Sequence, residues 1–244
     1  TMTANRIDHC ESMPPGQKLL AGTLRRAIRV SLKPFFNPHT PIWILRGGLN
    51  TMARISRPAS GVTHSQVQLA EVASECWLPE EGASSDGAIL YLHGGAYIAG
   101  GPQTHRGLAS HLARACGQPV WVPDYRLAPE HPFPAALEDA LSSYLALLEQ
   151  DFHGSQITIA GDSAGGGLTL GLALRLRGEG LPLPGKLVAL SPWADLTLAA
   201  QQANEQADEI MLTWPGLERG AQAYAGDQRK HPWVSPIHGD LTGL

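Results

Sequence analysis

Residues 156–170, QITIAGDSAGGGLTL, restrict the fold more than any other stretch of the 244-residue chain. The apolar run at 157–160 has the length and β-branched content of a buried strand. It ends in Gly161-Asp162-Ser163-Ala164-Gly165, and AGGGLTLGLALRLRG continues as a helix apolar nearly all round. Such a helix is buried, and Gly178 and Gly180 are its stop signals. A buried strand that turns sharply into a buried helix needs a sheet with a covered face. A serine on a sharp strand-to-helix turn lifts its hydroxyl clear at the helix N-terminus, where negative charge is favoured. Ser163 is therefore the candidate nucleophile. Gly161 and Gly165 leave room for close backbone approach.

The same alternation runs through the chain. AILYLH, PVWVPDY and GKLVALS are short apolar runs that read as buried strands. A helix is expected from 104 to 115, and another carries Leu137, Leu141, Tyr144, Leu145 and Leu148 on one side. VTHSQVQLAEVASECWL reads as an antiparallel pair or one bent strand, and EEGASSDG as a turn. This predicts an α/β fold, a mostly parallel sheet with helices on both faces. Residues 1–50 read as one or two helices broken by Pro34, Pro38 and Pro41: LLAGTLRRAIRV has helical spacing, and PFFNPHTPIWIL is a proline-broken segment too interrupted for a long helix. Residues 196–226 break the alternation and read as two inserted helices. The organisation expected is an N-terminal cap segment at 1–50, a core at 51–195, a helical insertion at 196–226 and a return to the core at 227–244.

Composition closes off other classes. A formal charge of -4 gives no electrostatic case for nucleic acid or an anionic membrane, and no apolar run is long enough to span a bilayer. Arg25, Arg26 and Arg29 read as the solvated face of a helix. Cys10, Cys76 and Cys116 are odd in number and far apart, so neither a disulfide framework nor a zinc site is expected. With no secretory leader pattern, a reducing cytoplasm is the simplest home. No GxxxxGK[ST] is present, and no GxGxxG follows a strand, which removes a nucleotide-binding module.

Three further motifs accompany the serine. YLHGGAYIAGG, residues 91–101, follows a strand as an oxyanion-hole loop should. The amides of Gly94, Gly95 and Ala164 are the expected donors, and His93 is expected to anchor the loop. In DYRLAPEHPFPAALEDA, Asp124, Arg126 and Glu130 are expected to form an ion-pair brace under the site. Asp162 and Asp195 read as structural. LSPWADL is a strand end followed by a proline turn near the mouth of the site.

In this order and spacing HGGA, DYRLAPE-PFPAAL, GDSAGG and SPW-DL resemble the hormone-sensitive-lipase family of serine esterases (bacterial family IV). The resemblance covers nearly the whole chain. It implies an α/β-hydrolase core under a helical cap and carboxylesterase activity on short- to medium-chain esters, with no cofactor and no metal. The cap aromatics Phe35, Phe36, Trp43 and Trp214 would line an acyl pocket or pack cap against core. Ala96 stands where the family has a third glycine. The resemblance also places the acid and the histidine after the segment like HPWVSPIHGDLTGL, residues 231–244. The two partners of Ser163 and the last strands are thus expected beyond Leu244, so this chain would be a low-activity fragment. His231 and His238, with Asp227 and Asp240 nearby, are poor substitutes. KLVAL would then be an exposed apolar edge, to be covered by a longer native chain or in a homo-oligomer. The alternative is a non-catalytic binding protein for a small ligand on the same fold, as in the plant gibberellin receptors that resemble this family.

Overall fold

The computed structural model describes residues 15–31, 37–82, 87–199 and 212–244. Cys10, Phe35, Phe36 and the first inserted helix expected after 196 lie wholly or mostly outside them.

Among the described residues six strands form one sheet: β1 (Val62–Leu69), β2 (Val72–Pro79), β3 (Ala88–Leu92), β4 (Val120–Pro123), β5 (Ile157–Asp162) and β6 (Lys186–Leu190). Their order is β1-β2-β4-β3-β5-β6. The 62–78 stretch is a hairpin, with β1 antiparallel to β2 and β2 antiparallel to β4. From β4 to β6 the pairing is parallel. Side chains alternate across a strand, so β3 serves two cores at once. Ile89 and Tyr91 pack with Ala109 and Ala113 of α3 (Pro102–Cys116). Leu90 and Leu92 pack on the opposite face with Leu137 of α4 (Ala135–Glu149) and Leu168 of α5 (Ser163–Gly178). The expected helix at 104–115 therefore starts two residues earlier, on Pro102, because proline fits a first helical turn.

GKLVALS forms β6 at the edge of the sheet, the exposed apolar edge expected for KLVAL: Val188 is 40% and Leu190 45% exposed. Parallel interior and edge strands share the same apolar composition, and only the neighbour decides exposure.

Of the one or two N-terminal helices expected, two form: α1 (Pro15–Ser31) and, after Pro41, α2 (Ile42–Ala53), a twelve-residue helix that the IWIL segment opens. Pro41 stands at its N-cap, where a missing N–H costs nothing. Leu45 of α2 is buried, and Arg46 donates to the Ile98 and Ala128 carbonyls and to both oxygens of Glu130. The last helix, α6 (Trp214–Ala225), is capped by the Thr213 hydroxyl and stacks Tyr224 on Tyr97, ring centroids 3.7 Å apart. Among the described residues no helix is long and apolar enough to cross a membrane.

Candidate active site

The serine turn is built by close backbone approach. Ser163 has φ +51, a left-handed conformation that costs a non-glycine residue about 1–2 kcal/mol. The flanking glycines make it possible. A Cβ on Gly165 would sit 2.0 Å from the Leu92 carbonyl oxygen, and one on Gly161 2.5 Å from that of Gly165. The SPW turn closes behind: the Trp193 amide donates to the Ser163 carbonyl at 2.8 Å. Ser163 faces a cavity of about 360 Å³. Its polar wall is Gly94, Gly95, Ala96, His105, Asp162 and Ser163, and its apolar wall includes Leu49, Met52, Leu212 and Leu217. Trp43 is 74% exposed, and neither it nor Trp214 lines this cavity.

The glycine loop leaves β3 beside the turn. His93 is fully buried and stacks on Tyr125 at 4.0 Å. Its Nδ1 lies 2.9 Å from the Gly94 carbonyl, and the Tyr125 hydroxyl donates to the His93 carbonyl. Burial pushes its pKa down to about 3, so the ring stays neutral. Gly95 takes φ +133, where a Cβ would meet the Ala99 oxygen at 2.0 Å, and Ala96 follows at φ +54.

Gly94 departs from expectation. Its amide is not free to bind an oxyanion, because it donates to Asp162 Oδ1 at 3.0 Å. The same oxygen takes the Tyr91 hydroxyl at 2.9 Å and lies 3.1 Å from His105 Nε2. A Cβ on Gly94 would strike Asp162 Oδ2 at 2.3 Å, so this glycine makes room for a carboxylate. Among the described residues the amides of Gly95 and Ala96 have no hydrogen-bond partner. Ala164 is fully buried in the first turn of α5, where helix amides lack intrahelical partners.

Burial works against the Asp162 charge, but the His105 contact, the Tyr91 hydroxyl and the Gly94 amide outweigh it and hold the pKa below the usual carboxylate range. A depressed folded pKa adds stability above the unfolded value, near 3.9, and that stability is lost as pH falls through the folded value. Asp162→Asn is therefore expected to cost about 2 kcal/mol at pH 7. Urea denaturation should show that difference shrinking at pH 3.

The expected brace of Asp124, Arg126 and Glu130 does not form. Arg126 forks onto Asp139 of α4 and reaches Glu138. Glu130 pairs with Arg46. Asp124 lines a separate groove with Glu75, and burial and then the Glu75 charge raise its pKa. Two carboxylates and one guanidinium cannot satisfy each other when α2 and α4 offer better-placed partners.

None of His231, His238, Asp227 and Asp240 lines the Ser163 cavity. His231 packs between Phe133 and Trp233, and His238 lies 3.9 Å from Asp195. Among the described residues no side chain hydrogen-bonds the Ser163 hydroxyl. Sequence reasoning missed Tyr91 and His105. The only signal for His105 was its place just after the glycine loop, in the first turns of a helix.

A mixed sheet covered on both faces, with a left-handed serine between β5 and α5, defines a protein of the α/β-hydrolase class. The family model described as alpha/beta hydrolase fold matches residues 89–244. An acetyl-hydrolase of Streptomyces hygroscopicus is 50% identical over 165 residues, 66% of this chain and 55% of its own length. An esterase of Acinetobacter venetianus is 35% identical over 231 residues, 93% of this chain and 73% of that one. The crystal structure of an esterase from the bacterial hormone-sensitive lipase family superposes with a TM-score of 0.83 at 34% identity, covering 96% of this chain and 76% of that one. The chain belongs to the hormone-sensitive-lipase family, bacterial family IV, of α/β-hydrolases. It spans little over half the length of the Streptomyces acetyl-hydrolase.

Proposed function

We propose that the protein is a serine carboxylesterase acting on short- to medium-chain esters through an acyl-enzyme on Ser163. The observation that carries this is the strained serine opening onto a cavity beside the unpartnered amides of Gly95 and Ala96. The names of the acetyl-hydrolase and esterase relatives support the same chemistry.

Ser163 Oγ bonds to the ester carbonyl carbon and gives its proton to an acceptor outside the described residues. The carbonyl oxygen becomes an oxyanion held by the amides of Gly95, Ala96 and Ala164. Each such donor lowers the barrier by about 3 kcal/mol. Ala96 takes the place assigned above to Gly94, whose amide serves Asp162. The C–O bond to the alcohol then breaks, the alcohol leaves with a proton, and water hydrolyses the acyl-serine. Leu49 and Met52 of α2 and Leu217 of α6 give the acyl chain an apolar wall, so α2 and α6 act as parts of the cap. A longer native chain or a homo-oligomer would cover the β6 edge, and the free thiols Cys76 and Cys116 support a reducing compartment such as the cytoplasm.

The test is turnover of p-nitrophenyl esters of increasing chain length. Hydrolysis is expected to be fastest for acetate to hexanoate and to fall for long acyl chains. A folded protein that binds these esters without turnover would overturn the proposal.

A further inference from the structure

The acyl-transfer chemistry does not itself use the Asp162 carboxylate, yet one oxygen of it gathers contacts from three elements. Tyr91 donates to it from inside β3 and Gly94 from the glycine loop, while Nε2 of His105 on α3 lies 3.1 Å from it and accepts from the Gly94 amide at 3.3 Å. His105 is also fixed from its far side. Its Nδ1 lies 2.8 Å from Thr104 Oγ1, which accepts from the Gly101 amide and donates to the Gly101 carbonyl. The side chains of His105 and Asp162 are only 15% and 31% exposed, so few water molecules can replace these contacts. The chain connections give the cluster its meaning. Asp162 is bonded directly to Ser163, and Gly94 directly to Gly95. Oδ1 is thus the non-covalent link between the proposed nucleophile and its oxyanion donors.

We propose that Tyr91 and His105 are positioning residues, which hold Asp162 against the Gly94 amide and so aim the Gly95 and Ala96 amides at the oxyanion formed on Ser163. A carboxylate with the Gly94 amide alone could turn about its Cβ–Cγ bond, whereas the Tyr91 hydroxyl and the His105 ring, converging on the same oxygen, fix it. Catalytic donors must be held within about 0.5 Å of their working positions, so this constraint acts on rate. The inference rests on the esterase reading of Ser163.

Three variants of the full chain separate this role from mere packing. His105→Ala removes the imidazole, Tyr91→Phe removes only a hydroxyl, and His105→Gln keeps a polar group near the Nε2 position. His105→Ala and Tyr91→Phe are expected to speed hydrogen exchange of the Gly94 amide, which donates to Asp162, by about fivefold or more. They should lower kcat for p-nitrophenyl butyrate between about tenfold and a hundredfold, with KM within about twofold. His105→Gln should recover most of both effects. Unchanged exchange at Gly94 overturns the proposal, as does a loss that falls on KM instead of kcat. If the unsubstituted protein shows no Ser163-dependent turnover, the esterase reading fails and hydrogen exchange alone decides the positioning role. If His105→Ala does not fold, Tyr91→Phe decides.

Discussion

Ser163→Ala is expected to abolish the serine-dependent turnover of p-nitrophenyl butyrate, a fall in kcat of about a hundredfold or more, while leaving the thermal melt unchanged. The loss is large because the hydroxyl is the atom that forms the acyl bond, and the other hydroxyls on the cavity wall, Ser56 and Thr104, do not stand on the strained turn at the start of α5. Cys76, the buried described thiol, has its pKa raised to about 11 by burial and does not line the cavity. The fold should be untouched because alanine loses only a hydroxyl that, among the described residues, makes no hydrogen bond. Steady-state kinetics beside a melting curve check both halves. A fall of less than about tenfold would mean that another group carries the reaction.

Gly165→Ala is expected to be the most damaging change to the scaffold. The new methyl would lie 2.0 Å from the Leu92 oxygen and 2.5 Å from that of His93. Both are backbone atoms at the end of β3, held by the parallel ladder to β5, so neither can swing aside. α5 must therefore move off the sheet. Overpacking of this kind costs about 3 kcal/mol, a melting shift of roughly 6–12 °C for a chain of this size. Activity should fall as well, because the movement separates Ser163 from Gly95 and Ala96. Gly178→Ala, at the open end of the same helix with nothing within 4 Å, is the control and should be neutral or slightly stabilising. Equal melting temperatures for the two variants would contradict the described contact between β3 and α5.

The serine turn was legible because it is local. An apolar strand, two glycines flanking Asp162–Ala164 and an apolar helix lie within some twenty residues, and each needs the others. The glycine loop was legible as a loop, but not which of its amides is free. That depends on Asp162, which lies 68 positions later. Arg126 was recognised as half of an ion pair, yet its partner is Asp139 on α4, because pairing follows the helix face. Pro41 read as a breaker although a proline just before a helix permits its start. Likewise β6 had the composition of a buried strand, but exposure is a property of its neighbours.

The most direct test of the account is to quench the protein in acid during turnover of p-nitrophenyl butyrate and find the acyl group by peptide mass spectrometry. The account predicts a butyryl group on the peptide that carries Ser163, absent from Ser163→Ala. Turnover with no adduct on that peptide, or a folded protein with no turnover, would contradict it.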